Sequence, residues 1–164
     1  MNLEPNGIAQ ALILISAANG APIIMRNLFG KRFAQSVDGG LVLTDQRPLF
    51  GPSKTWLGLV AAVIFPALIA PWLGLSVVLG AGFGALSIGG DLLASFTKRR
   101  LGFASSSRAR LLDVFPEAVL PTWVLHSALG LGKWDIVLTG LIFFVIEASV
   151  SPLLFRLHIR NRPY

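Results

Sequence analysis

Charged residues are scarce in this sequence, and cysteine is absent. Only 13% of the 164 residues are Asp, Glu, Lys or Arg, about half the share usual in a soluble domain. With 54% hydrophobic residues, this composition predicts an integral membrane protein rather than a soluble globule. The lack of cysteine excludes disulfides and thiolate metal sites, and two histidines, His126 and His158, argue against a zinc site.

The net charge of +6 would fit a nucleic-acid partner only if it covered a soluble surface. The basic residues instead cluster between apolar runs, as topology signals do, so no nucleic-acid partner is expected.

Five apolar runs divide the chain, each close to the length of about 20 residues that a helix needs to cross a bilayer. The runs cover Ile8 to Met25, Thr55 to Leu73, Leu75 to Phe96, Leu111 to Leu131 and Trp134 to Phe155. Helices are expected because backbone groups in lipid must be satisfied within their own segment. Tight turns are expected at Trp72 to Ser76 and at Gly130 to Lys133. The predicted fold is an all-α bundle of five transmembrane helices in a single domain, residues 1–164.

The basic residues predict the orientation of this bundle. Apart from Lys133, every lysine and arginine falls in a loop at about residues 26–54, a second loop at about 97–111, or the C-terminal tail. Positive residues beside spans stay in the cytoplasm, which predicts both loops and the C-terminus inside and the N-terminus outside. The expected location is the cytoplasmic (inner) membrane, with a functional site facing the cytoplasm. Several tryptophans at run ends are interpreted as interface anchors.

Acidic residues at the cytoplasmic ends of two runs form a first candidate site. Asp91, Ser95 and Lys98 are spaced to share one face of the third helix, and Asp113 and Glu117 share a face of the fourth. An acid in a membrane segment is costly and therefore indicates function. Converging carboxylates repel one another, and a divalent cation that prefers oxygen ligands, magnesium or calcium, would relieve that repulsion.

An interpretation without a metal stays open at this stage. Asp91 and Asp113 could simply form ion pairs with Lys98, Arg99 or Arg110 at the membrane surface.

The first loop contains a second candidate site, just before the second run. Ser53 or Thr55 can cap the following helix, whose N-terminal N–H groups then face an anion, and Lys54 adds a positive charge for a phosphate. The sequence GPSKT lacks the spacing of a Walker loop. A capped helix with a snorkelling lysine is the structural alternative.

Glycines are frequent in the third run. Small residues let membrane helices approach closely, either within one chain or between two copies in a homodimer. The pair Gly89-Gly90 beside Asp91 differs, because it leaves room there for a ligand or for the backbone of a neighbouring helix.

Two motifs, GDLLASFTKRRLG at residues 90–102 and LLDVFPEAVLP at 111–121, resemble the CDP-archaeol synthase family. The elements DGG at 38–40 and LFGPSKTW at 49–56 are similar to that family too. The family belongs to the wider group of CTP-dependent phosphatidate cytidylyltransferases. The resemblance therefore implies an enzyme that transfers CMP from CTP to a membrane lipid phosphate and releases pyrophosphate, with Mg²⁺ as cofactor.

The resemblance also implies roles for individual residues. The catalytic residues would be Asp91, Lys98 and Asp113. The magnesium ligands would be Asp91, Asp113 and Glu117. The substrate-binding residues would be Ser53, Lys54, Ser95, Arg99 and Arg100. The family often has a second acid three residues after the first in the fourth run; here that position is Pro116, and Glu117 follows it.

Other functions remain to be weighed at this stage. A small membrane transporter or cation-binding protein would use the same acids, and a structural subunit would use none of them. Glu147, midway along the fifth run, is interpreted as a structural residue, and His126 as a helix-packing residue. The acceptor lipid is open between archaeol-type lipid phosphate and phosphatidic acid.

Overall fold

The computed structural model of the protein describes residues 3–30, 35–104, 107 and 109–156, with the backbone alone at 110 and 151–156. This part of the chain contains five α-helices and no β-strand, which confirms the all-α prediction. They are α1 (Pro5–Phe29), α2 (Trp56–Ile69), α3 (Val77–Arg100), α4 (Arg110–Val124) and α5 (Lys133–Arg156). Some residues that predicted the orientation lie outside the described part: Lys31, Arg32, Arg108, Arg160 and Arg162.

Three of the described helices are long and apolar enough to cross a membrane: α1, α2 with the 3-10 turn Ala70–Leu73, and α3. Their apolar side chains face outward as well as inward; Val60 on α2 is 52% exposed and Val78 on α3 is 80% exposed. Exposed apolar surface of this extent is unfavourable in water and ordinary against lipid tails. The helices therefore have the surface of a membrane protein.

The fourth helix is shorter than the predicted run from Leu111 to Leu131. α4 has 15 residues, about 22 Å, and ends at Val124. Two prolines within it remove backbone donors, and the next residues form turns in which Leu131 N–H donates to the carbonyl of His126 at 2.8 Å. Gly130 adopts the left-handed conformation (φ 67°) in the turn that leads to α5, within the turn region predicted there.

Glycines on α3 allow two close helix crossings. A Cβ atom on Gly84 would lie 2.2 Å from the carbonyl oxygen of Ala62 on α2. A Cβ atom on Gly90 would lie 2.3 Å from the carbonyl oxygen of Pro116 on α4. At these positions, glycine packing within one chain is confirmed, and the space beside Gly90 is filled by a neighbouring backbone.

Asp135 ties the end of the bundle that lies opposite the long loops. Its side chain is 1% exposed and accepts hydrogen bonds from the N–H of Gly132 (2.8 Å) and of Glu4 (3.3 Å). A carboxylate in the first turn of a helix is stabilised by the free N–H groups there. The same carboxylate thus caps α5 and holds the start of α1.

Candidate active site

Lys54 and Asp91 join the first loop to α3. The Lys54 Nζ atom lies 2.5 Å from Asp91 Oδ2, and both side chains are about four-fifths buried. Thr55 caps α2, because its hydroxyl oxygen accepts a hydrogen bond from the N–H of Gly58 at 3.2 Å. The sequence left Ser53 and Thr55 open as caps, and the structure selects Thr55. Ser53 lies in the turn immediately before Lys54.

Lys98 and Asp113 form a second ion pair, between α3 and α4. Lys98 is 7% exposed, and its ammonium group also lies 3.5 Å from the carbonyl oxygen of Ser107. Asp113 caps the start of α4 by accepting from the N–H of Ala109 at 3.2 Å. Of the ion pairs that the sequence offered as an alternative to a metal, the pair between Asp113 and Lys98 is present, whereas Asp91 pairs with Lys54, which was not among the partners offered.

Arg99 is the most deeply buried cation of the predicted substrate-binding set. Its side chain is 3% exposed, and its Nε atom has no hydrogen-bond partner among the described residues. Asp113 lies within electrostatic reach of this guanidinium. Ser95, one turn earlier on α3, is equally buried. A buried donor without a partner is costly, so Arg99 is suited to an anion that arrives with a substrate.

Arg100 contacts the first loop instead. Its guanidinium group donates to both carboxylate oxygens of Asp45 at 2.7 Å and to the carbonyl oxygens of Arg47 and Pro48 at 3.2 and 2.6 Å. In return, Arg47 donates to the carbonyl oxygen of Arg100 at 2.5 Å. We call this reciprocal contact the arginine clamp. The clamp fastens the loop to the end of α3, and the predicted phosphate contact of Arg100 stays a prediction.

Asp38 organises the loop that carries Lys54. Its carboxylate accepts hydrogen bonds from the hydroxyl of Ser36 and from the N–H groups of Gly40, Phe50 and Gly51. Partial burial would raise the pKa of Asp38, but these four donors outweigh burial and hold the pKa well below its ordinary value of 3.8. The Asp38 carboxylate is therefore a structural centre of the loop.

Two further acids complete the charged region. Glu117 is 8% exposed, on α4 directly after the residue that crosses Gly90. Its electrostatic neighbours are Asp91, Lys54, Glu147 and Asp113. Glu147 on α5 was interpreted from sequence as structural, yet it lies within reach of this cluster. A signal existed: an acid within an apolar segment is costly and indicates function, and this argument, which singled out Asp91, applies equally to Glu147.

The described residues contain no group of three or more His, Cys, Asp or Glu side chains placed to hold one metal ion. Asp91 and Asp113 each face a lysine rather than each other. The carboxylates of the predicted magnesium ligands thus lie near one another but do not surround a common metal position.

Comparisons with known proteins give the family. No protein-family model matches the chain. The CDP-archaeol synthase of Hyperthermus butylicus is 36% identical over 152 residues, which cover 83% of this chain and 86% of that protein. The CDP-archaeol synthase of Sulfurisphaera tokodaii is 31% identical over 152 residues, covering 89% and 83%.

The fold has a counterpart among solved structures. A structure described as an intramembrane enzyme for archaeal membrane lipid biosynthesis matches with a TM-score of 0.75 and 24% identity, over 87% of this chain and 90% of that one. This likeness shows a common fold. From the identity and coverage of the relatives, the chain belongs to the CDP-archaeol synthase family, which confirms the resemblance and the enzyme class predicted from its motifs.

Proposed function

We propose that this protein catalyses magnesium-dependent transfer of CMP from CTP to a lipid phosphate, giving a CDP-activated lipid and pyrophosphate. The acceptor we favour is an archaeol-type lipid phosphate, because the curated relatives are CDP-archaeol synthases. The observation that supports the proposal most strongly is the pairing of Lys54 with Asp91 and of Lys98 with Asp113 beside the buried Arg99. Three cations, one from the first loop and two from α3, lie in the charged region of an apolar bundle, and such a group suits a polyphosphate.

The reaction needs positioning and charge neutralisation more than covalent help from the protein. An oxygen of the lipid phosphate attacks the α-phosphorus of CTP, a new P–O bond forms, and the bond to the β-phosphate breaks as pyrophosphate leaves. Lys54, Lys98 and Arg99 would bind phosphate oxygens and stabilise the charge that builds up on them. No side-chain nucleophile is required, because the lipid phosphate is one already.

The acids suit magnesium in their donor chemistry. Magnesium is bound in many enzymes by one or two carboxylates together with substrate phosphates and water, so a complete protein cage is not needed. Asp91 and Asp113 would hold the ion, with Glu117 as a neighbouring acid in place of the usual one at the position of Pro116. When bound, magnesium supplies positive charge to the phosphates.

We also propose that all five helices cross the membrane, with the N-terminus outside and the site facing the cytoplasm. The positions of the tryptophans support the crossings, since these residues favour both membrane interfaces, and the basic residues of the two loops support the orientation. Trp56 lies at the start of α2, beside the long first loop, and is 52% exposed. The other three tryptophans lie at the opposite end of the bundle and are 63–90% exposed: Trp72 in the 3-10 turn after α2, Trp123 near the end of α4 and Trp134 near the start of α5.

The test is release of pyrophosphate from CTP by the purified protein in detergent with magnesium. Phosphatidic acid and an unsaturated archaeol-type lipid phosphate are supplied in parallel, and wild type is compared with Asp91→Asn. We expect turnover with the archaeol-type lipid and a loss of at least about a hundredfold in the variant, because the loss of one charged group at a phosphoryl-transfer site has effects of that order. Glu4→Gln removes an exposed acid at the other end of the bundle and should leave turnover unchanged.

Absence of CTP binding by the folded wild-type protein would overturn the proposed function. Full turnover by Asp91→Asn would remove Asp91 from the catalytic residues. The transporter alternative receives less support, because Asp91 and Asp113 each pair with a lysine and Arg99 lies near Asp113, and such cations suit a polyphosphate better than the path of a metal cation.

A further inference from the structure

A cleft of about 110 Å³ lies between α1 and α5, outside the site described above. Its walls include Ser16, Asn19 and Gly20 from α1, and Phe143, Ile146 and Glu147 from α5. It opens on the surface of the bundle, where Ser16 is exposed and Ile146 is 36% exposed.

The inner end of the cleft joins the charged region. Glu147 lines the cleft and is also an electrostatic neighbour of Glu117, which in turn neighbours Asp91 and Lys54. Because Glu147 and Asp91 are both electrostatic neighbours of Glu117, Glu147 lies close to the charged region and not at the far end of the bundle. A molecule in the cleft therefore has one end at the surface of the helices and the other near the acids.

The size of the cleft decides between occupants. Pockets that enclose a drug-sized ligand measure about 300–1,000 Å³, so this cleft is too small for a nucleotide or for a helix of a second chain. It has space for a short segment of a few heavy atoms. The lining is apolar at Phe143 and Ile146. The Ser16 hydroxyl and the Asn19 amide can donate hydrogen bonds to ether or ester oxygens.

Apolar surface continues from the mouth of the cleft along both helices. Ile13 and Ile24 on α1 are 43% and 45% exposed, and Val150 on α5, which lines the cleft, is 37% exposed. Long hydrocarbon chains can lie against this surface while the polar segment between them enters the cleft. The combination of polar donors inside and apolar helix faces outside fits an amphiphile of the membrane.

We propose that the cleft between α1 and α5 binds the glycerol segment and first chain atoms of the lipid-phosphate substrate and directs its phosphate toward Lys54, the partner of Asp91. This inference rests on the proposed function and adds to it the route by which the acceptor reaches the site.

The experiment uses two matched glycine variants of the full chain. A Cβ atom at Gly20 would meet no described atom within 4 Å, and the same holds at Gly82 on α3, which does not line the cleft. Gly20→Leu therefore fills the cleft without a backbone clash, and Gly82→Leu adds the same side chain elsewhere. Three quantities are measured for each variant: the KM for archaeol-type lipid phosphate and the KM for CTP during turnover, and the Kd of the radiolabelled lipid phosphate in the absence of CTP.

We expect Gly20→Leu to raise the KM and the Kd for the lipid phosphate at least about tenfold, equivalent to about 1.4 kcal/mol, and to change the KM for CTP less than about twofold. Gly82→Leu should match wild type in all three. Equal lipid binding by the two variants would overturn the inference. If wild type binds the lipid but shows no turnover, the proposed function fails, and the binding comparison still decides the role of the cleft.

Discussion

α3 packs closely against two neighbouring helices, and in each case a glycine allows the close approach. The consequences of the two crossings differ. At Gly84 it meets the backbone of α2 at Ala62, and at Gly90 it meets the backbone of α4 at Pro116. In both places a single added carbon would lie within 2.3 Å of a carbonyl oxygen. The difference lies in the surroundings: Gly84 is flanked by apolar residues, whereas Gly90 directly precedes Asp91 and its partner at the crossing directly precedes Glu117.

The two crossings on α3 therefore differ in role: one belongs to the scaffold and the other to the candidate site. The crossing with α2 fixes how two apolar helices pack. The crossing with α4 fixes how far Asp91 lies from Glu117 and Asp113, which are the predicted metal ligands. The same steric conflict should therefore act on stability at one crossing and on chemistry at the other.

The largest effect is expected from Gly90→Ala. The added methyl group must push α4 away from α3, which separates Asp91 from the acids of α4. A misplacement of about 1 Å can cost about a hundredfold in rate, so we expect kcat per folded molecule to fall by about that factor. Steady-state turnover, normalised to the folded fraction by size-exclusion chromatography, measures it.

Gly89→Ala is the matched control for this prediction. Its Cβ atom would meet no described atom within 4 Å, although the residue is adjacent to Gly90 and only two residues from Asp91. Similar turnover in the two variants would show that the close crossing does not position the acids.

A smaller effect on chemistry is expected from Gly84→Ala. Overpacking of a tight contact costs about 1–3 kcal/mol of stability, so the thermal unfolding midpoint in detergent should fall. The folded fraction should keep a kcat within about threefold of wild type, because no predicted site residue adjoins this crossing. Gly82→Ala, at an open position, is the control and should retain the wild-type midpoint. A large loss of kcat with an unchanged midpoint would contradict the division between scaffold and site.

The smallest effect concerns the loop, which reaches α3 through charges rather than close packing. The pKa of Asp38 is lowered in the folded protein, so its carboxylate stabilises the loop above the ordinary pKa of 3.8 and loses that effect as pH falls further. We expect the amide protection factors of Phe50 and Gly51, measured by hydrogen exchange, to fall below about pH 4.

Asp38→Asn should lower that protection about tenfold at neutral pH, because bonds to a charged acceptor are worth more than bonds to a neutral one. Its protection should no longer depend on pH between about 2 and 4. An unchanged acid dependence in the variant would assign the transition to another group.

Hydropathy and charge were sufficient to predict the helical class, the turns and the two charged segments. Periodicity placed Asp91 and Lys98 on one face, and capping rules predicted that Ser53 or Thr55 begins α2. These signals are local, because they depend on residues within a few turns of one another. The predicted length of α4 was wrong, because the apolar composition continues to Leu131 whereas the helix ends at Val124.

Long-range partners were harder to predict. Nothing local indicates that Lys54 would pair with Asp91, or that Arg100 would hold the loop through Asp45. Glu147 was interpreted as structural because it lies toward the middle of its run, and its proximity to Glu117 on another helix was not predicted. Such contacts depend on how helices cross, and a single sequence carries that information only in features such as Gly90.

The arginine clamp has a consequence for the order of assembly. Arg100 follows Asp45 and Arg47 by more than fifty positions, so the loop leaves the ribosome before the residue that fastens it has been made. The loop can take its final shape only after α2 and α3 have formed. The proposed nucleotide site, which includes Lys54, would therefore be completed on a helical hairpin already in place, and an unfinished chain would present no competent enzyme.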